Sequence, residues 1–213
     1  MRVLPSKDMN LNDFKTLGLS AGLIAALDAR GLTEPTPIQS HAIPYGLDGL
    51  DVMGLAQTGT GKTLAFGLPL IHQLSQIGTK PAPKTARSLI LAPTRELVNQ
   101  IAESLRSLTT RSHLKITVVV GGQSINRQIG QLSKGTDILV ATPGRLIDLM
   151  DRRAVDLREV KHLVLDEADQ MLDMGFIHAL RRIAPMLGTP RQTMLFSATM
   201  PKQMEELRRA YLD

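Results

Sequence analysis

The sequence predicts an open, mostly parallel α/β sheet with helices on both faces, and three observations lead there. Short apolar runs alternate with helical segments: "DVMGLA", "SLILAP", "KITVVVGG", "DILVATP", "KHLVLDEAD" and "QTMLFSAT" each read as a buried strand followed by a turn. Such alternation sends every strand into a crossover helix, which leaves neighbouring strands parallel and covers both faces of the sheet. The residues with chemical character fall at the carboxyl ends of these strands, where open parallel sheets gather their ligands. With 213 residues, 43% hydrophobic and 21% charged, the chain suits one such domain with a substantial core.

Composition narrows the function classes. There is no cysteine, so disulfides and thiolate metal ligands are excluded, and a reducing, cytoplasmic setting is the expectation. The opening "MRVLPSKDMNLNDF" lacks the apolar core of a secretory signal, and no later run approaches the ~20 apolar residues that span a bilayer, so no membrane partner is expected. A net charge of +5 favours a polyanionic partner. Pairs such as Arg152-Arg153, Arg181-Arg182 and Arg208-Arg209 are equally consistent with solvated helix faces.

In chain order, residues 1–10 read as a flexible flank and residues 11–213 as a single domain. Ser20 precedes "AGLIAALDAR", in which Leu23, Ile24 and Leu27 form an apolar stripe closed by Gly31, a capped amphipathic helix. Thr36-Pro37-Ile38-Gln39 then starts a second helix: threonine as N-cap, proline at the first helical position, glutamine three residues on, a capping box. The Gln39 amide has another use, because it can accept from the amino group of adenine and donate to N7, a match guanine cannot satisfy.

The first strand leads into "AQTGTGKT", which matches the phosphate-loop pattern except that Ala56 replaces its first glycine. Gly59 and Gly61 allow successive N–H groups, from Gln57 through Thr60, to face one concavity, and the helix that follows adds its positive end. Lys62 then reaches the outer phosphates of a nucleotide, and the Thr63 hydroxyl can ligate Mg²⁺. Pro69 is expected to kink that helix. "GTKPAPKTAR", Gly78 to Arg87, reads as a surface loop.

"HLVLDEAD" ends its strand in three carboxylates, costly unless a cation lies nearby. A magnesium–nucleotide complex supplies one: Asp166 holds the metal through its water shell, and Glu167 orients or deprotonates the attacking water. Asp169 reads as structural, and a solvated helix N-terminus is the alternative for the whole cluster. In "FSAT", Ser197 and Thr199 point the same way on an extended chain. They either hydrogen-bond Asp169 or Glu167, which would couple a movement to the hydrolytic site, or cap the helix after Pro201.

These residues resemble a known family, the DEAD-box RNA helicases, and look most like its bacterial members. "GLTEPTPIQ" follows the family's glutamine-motif pattern, with Leu32 where the family has an aromatic, and Phe14 stands seventeen residues before Gly31, as the family's isolated aromatic does. "AQTGTGKT", "PTREL", "GG", "TPGR", "DEAD" and "SAT" then occur in the family's order over nearly the whole chain. The resemblance implies a RecA-like phosphate-loop NTPase lobe that binds ATP or ADP with Mg²⁺. It implies contacts to adenine from Gln39, Phe14 and Pro37, and to phosphates from Gln57, Thr58, Gly59, Thr60, Gly61, Lys62 and Thr63. It also implies a sequence-independent RNA track of Pro93, Thr94, Arg95, Gly121, Gly122, Thr142, Pro143, Gly144 and Arg145, with Asp169, Ser197 and Thr199 coupling the two. Ordinary helix capping by Thr94 and Thr142 is the alternative for that track.

The family's second lobe carries arginines that complete hydrolysis, and no "HRxGRxxR"-type segment occurs here, so a C-terminal lobe is an expected partner and the chain reads as the N-terminal lobe alone. An arginine from outside contributes ~10³–10⁵ in rate, which makes nucleotide binding with negligible turnover the expectation for this piece. A DNA-acting ATPase and a non-enzymatic nucleotide-binding module are the competing readings.

Overall fold

A computed structural model describes residues 13–212, and the flank expected over residues 1–10 lies outside them. The six expected strands are β1 (Val52–Leu55), β2 (Ala86–Leu91), β3 (Ile116–Val119), β4 (Thr136–Ala141), β5 (His162–Leu165) and β6 (Gln192–Ser197). They form one sheet in the order β1-β6-β5-β2-β4-β3, with every pairing parallel. β4 and β6 are buried at all positions, which accounts for the apolar runs 138–141 and 194–196 within them.

The helices divide between the faces for a topological reason. α1 (Ala21–Ala29), α2 (Pro37–Leu47), α3 (Lys62–Ser75) and α4 (Arg95–Leu108) precede or accompany the outward steps β1 to β2 to β3. α5 (Ile125–Leu132), α6 (Pro143–Asp151), α7 (Ala168–Asp173), α8 (Ile177–Ile183) and α9 (Met204–Tyr211) accompany the return through β4, β5 and β6. Right-handed crossovers put helices on one face when the chain moves one way and on the other when it reverses. Accordingly Leu27, Ile43, Phe66 and Leu105 share a core with Ile90, Val140 and Val164, while Leu146, Met171, Leu180 and Leu207 share one with Leu89, Leu139 and Leu163. Adjacent strand residues therefore feed opposite cores, the period of two expected of a sheet.

Local chemistry sets the boundaries. The Ser20 hydroxyl accepts from the Leu23 amide at the start of α1, and Gly31 past its end has φ +70°. α3 runs on through Pro69 to Ser75, and the proline packs where α3 crosses α2: a Cβ on Gly46 would sit 2.8 Å from the Pro69 ring. The loop after α3 is shorter than expected, since Ala86 and Arg87 already belong to β2. The helix expected after Pro201 begins at Met204, with Gln203 as N-cap.

Candidate functional site

The ends of β1, β5 and β6 assemble one cluster. Gly59 and Gly61, at φ +86° and +82°, turn the loop from β1 into α3, and the amide of Ala56 donates to the Ser197 carbonyl at 3.0 Å, fixing the loop's start to β6. Within the loop the Thr60 hydroxyl donates to the Gln57 carbonyl at 2.6 Å. Lys62, the first residue of α3, puts its Nζ 3.1 Å from Asp166 Oδ1 and 3.3 Å from Glu167 Oε1. The Thr58 hydroxyl donates to the same Glu167 oxygen at 3.2 Å. Thr63 follows, half-buried, on the first turn.

Asp166 is fully buried at the end of β5, where its amide donates to the Leu91 carbonyl at 2.9 Å. Burial pushes its carboxyl above the ordinary aspartate range, and the Lys62 ammonium offsets only part of that. Oδ1 accepts from the Glu167 amide at 2.9 Å, whereas Oδ2 is buried without a hydrogen-bond partner. An orphaned carboxylate oxygen costs about 1–3 kcal/mol or more, so it marks a place built for something else to donate to it. A water bound to a divalent cation is such a donor. Among the described residues no group of three or more His, Cys, Asp or Glu side chains could hold a metal. An ion here would take Thr63, Asp166 through water, and oxygens of the nucleotide, which is the ligand pattern of Mg²⁺ bound with phosphates. The residues fit the group. Glu167 sits in the left-handed region at φ 51° and ψ 52°, a conformation that costs a non-glycine residue about 1–3 kcal/mol. It is the N-cap of α7, so the distortion sets its carboxylate beside Lys62 and Thr58.

Gln39 is 3% exposed and uses both ends of its amide. Its oxygen accepts from the Thr36 amide at 2.9 Å, the capping contact, and its nitrogen donates to the Gly61 carbonyl at 2.9 Å. The second contact ties α2 to the phosphate loop, and a Cβ on Gly61 would lie 2.4 Å from that nitrogen. Pro37 occupies the first turn of α2. Phe14 is 2% exposed, in a short 3-10 turn whose ring joins the core containing Leu27 and Ile43 rather than facing solvent, and Leu32 packs against the same core.

Beyond β6, Asp169 Oδ2 accepts from the Thr199 amide at 3.1 Å and from its hydroxyl at 3.0 Å. Burial raises the Asp169 carboxyl, but the hydrogen bonds from Thr199 and Gln170 outweigh it and hold it below the ordinary value. Ser197 donates to the Thr199 carbonyl at 2.8 Å, closing the turn. Neither hydroxyl caps α9, whose N-cap is Gln203.

The ends of β2, β4 and β3 form the other half of the same edge. Pro93 is buried, and Thr94 is the N-cap of α4, its hydroxyl accepting from the Leu97 amide at 3.1 Å. Arg95 is exposed and reaches the Gly121 carbonyl at 3.5 Å. Gly122, at φ +75°, makes room for it, since a Cβ there would stand 2.4 Å from Arg95 Nη1. Thr142 and Pro143 begin α6, with Gly144 exposed in its first turn. Arg145 Nη1 donates to the Gln123 carbonyl at 2.9 Å and to Gln128 Oε1 at 3.0 Å, and Gln128 Nε2 donates to the Val120 carbonyl at 3.0 Å. Gln128 escaped the sequence reading because nothing local marks a glutamine inside a helix as a bridge. Helix starts, the exposed Arg95 guanidinium with half-buried Arg145 beside it, and open glycine backbone make this half suited to a phosphodiester chain.

A family model described as DEAD/DEAH box helicase matches residues 36–207. The ATP-dependent RNA helicase CshA of Listeria monocytogenes is 45% identical over 197 residues, which are 92% of this chain and 37% of that protein. The crystal structure of a DEAD box protein from the hyperthermophile Methanococcus jannaschii superposes with a TM-score of 0.86 at 38% identity, over 94% of this chain and 53% of that one. The chain thus spans 37% of the curated relative and about half of the solved one.

Proposed function

Since the chain belongs to the DEAD/DEAH box helicase family and has its RecA-like phosphate-loop fold, we propose that it is the N-terminal, ATP-binding lobe of a cytoplasmic ATP-dependent RNA helicase. Its parent would couple ATP hydrolysis to local RNA unwinding by closing a C-terminal lobe onto this one around nucleotide and RNA. The observation that carries the reading is the orphaned Asp166 Oδ2 beside Lys62, under a glycine loop.

In this reading Lys62 exchanges the two carboxylates for the outer phosphates of ATP, while the loop amides from Gln57 to Lys62 receive the remaining phosphate oxygens. Mg²⁺, when bound, neutralises charge developing between those phosphates. Freed of Lys62, Glu167 accepts the proton of the attacking water. Gln39 reads adenine from α2, and its tie to the Gly61 carbonyl passes that event to the phosphate loop. Pro93 to Arg95, Gly121-Gly122 and Thr142 to Arg145 follow one RNA strand by its backbone, and the Asp169–Thr199 link joins the two activities. Hydrolysis by this lobe alone is expected to be negligible.

Calorimetry with Mg²⁺ and non-hydrolysable ATP or GTP analogues tests the reading, with binding of the adenine nucleotide alone expected. Equal affinity for both would contradict adenine recognition, and stimulation of the two-lobe parent by DNA as well as by RNA would contradict the assigned substrate.

A further inference from the structure

A groove lies at the end of the domain opposite the nucleotide. α3 and α4 both start at the carboxyl edge of the sheet and run back for 14 residues, ~21 Å, before they stop. Their last turns and α1 enclose about 630 Å³. The α1 wall is Gly22, Ala25, Ala26 and Ala29, spaced so that no side chain larger than a methyl stands along one stripe of the helix. A Cβ on Gly22 would meet nothing within 4 Å. Buried Leu23, Ile71 and Leu108 contribute the apolar floor.

Charge identifies what covers it. Arg30 and Arg111 line the groove, and no carboxylate does. Neither arginine side chain makes an ion pair or hydrogen bond among the described residues, whereas Arg158, Arg181, Arg182 and Arg208 are each held by a carboxylate. His113 is already engaged with the Ile77 carbonyl. The carbonyl ends of α3 and α4 converge near the floor, which disfavours phosphate there, and no phenylalanine, tyrosine or tryptophan offers a stacking surface for bases.

We propose that this groove docks an acidic, amphipathic helix of a partner protein. Small residues along α1 let a second helix approach closely, its apolar ridge entering the groove while glutamates or aspartates on its flank reach Arg30 and Arg111. The contact lies far from both halves of the carboxyl edge, so the partner recruits the domain without covering nucleotide or RNA.

Fluorescence anisotropy tests this with a labelled peptide of about five helical turns, leucine and alanine on one face and glutamate on its flanks, beside a version with lysine for every glutamate. The acidic peptide is expected to bind the domain, to weaken about tenfold or more with Arg111→Glu, and to lose binding with Ala25→Arg, which fills the groove while adding positive charge. Both positions are exposed, so the variants should melt like the parent. Equal binding of the lysine peptide, indifference to Ala25→Arg, or displacement of the acidic peptide by a uridine oligonucleotide would each overturn the proposal.

Discussion

In the proposed function the two halves of the carboxyl edge share one task, holding phosphates, and they are built for it in opposite ways. Around β1, β5 and β6 the charges are buried, coupled and incompletely satisfied: Lys62 bridges two carboxylates, Asp166 Oδ2 has no partner, and Glu167 is held in a strained conformation. Around β2, β4 and β3 the arginines are satisfied: exposed Arg95 donates to the Gly121 carbonyl, and half-buried Arg145 to the Gln123 carbonyl and Gln128 Oε1. Buried, frustrated charge is the arrangement of a site where bonds are made and broken. Satisfied charge of one sign suits the track of the proposed function, which must bind any sequence and release it.

That contrast can be broken at graded cost. The largest effect is expected of Glu167→Gln in the two-lobe protein, where ATP turnover falls by roughly 10²–10⁴-fold while ATP still binds; a steady-state assay retaining a substantial fraction of turnover would remove the residue from the chemistry. Lys62→Ala leaves the buried Asp166 and half-buried Glu167 carboxylates facing each other without their cation. A loss of about 1.5–3 kcal/mol in nucleotide binding is expected by calorimetry, with RNA binding untouched. Gln39→Glu keeps the acceptor for the Thr36 amide but sets an oxygen against the Gly61 carbonyl. Because the Gly61 contact is lost, melting should show a loss of about 1–2 kcal/mol together with weaker ATP binding.

Smaller effects sharpen the comparison further. Asp166 is raised in the fold, so the native state binds its proton more tightly than the unfolded chain does. Stability is therefore fully present below the ordinary aspartate range and declines as pH rises through the raised value. Asp166→Asn should flatten that decline and stabilise the ligand-free lobe at neutral pH by about 1 kcal/mol, while Mg²⁺-dependent nucleotide binding is lost. A destabilised variant would mean that the Lys62 pair outweighs burial. Arg145→Ala should lower RNA affinity of the two-lobe protein about threefold and reduce the salt slope by about one, leaving ATP binding unchanged.

The same contrast explains what could be read from sequence. All six strands were legible because buried parallel strands leave continuous apolar runs, and the phosphate loop and "DEAD" carboxylates because their chemistry is local and dense. The second half is assigned to RNA only through resemblance, since threonines at helix starts say capping before they say RNA, and Thr94 does cap α4. Contacts between distant segments left no trace: Gln39 to Gly61, Thr58 to Glu167 and Arg145 to Gln128 need the fold before they mean anything. Phe14 was recognisable by spacing, but only packing shows its ring within the core.

The division of the edge is tested most directly by titrating the isotope-labelled domain, watched amide by amide, first with Mg²⁺ and ADP and then with a uridine oligonucleotide. The nucleotide should move residues 56–63, 166–167 and Gln39 and leave 94–95, 121–122 and 142–145 in place, with the oligonucleotide doing the reverse. Nucleotide shifts centred on 94–95 and 142–145, or none around Lys62 and Asp166, would contradict it.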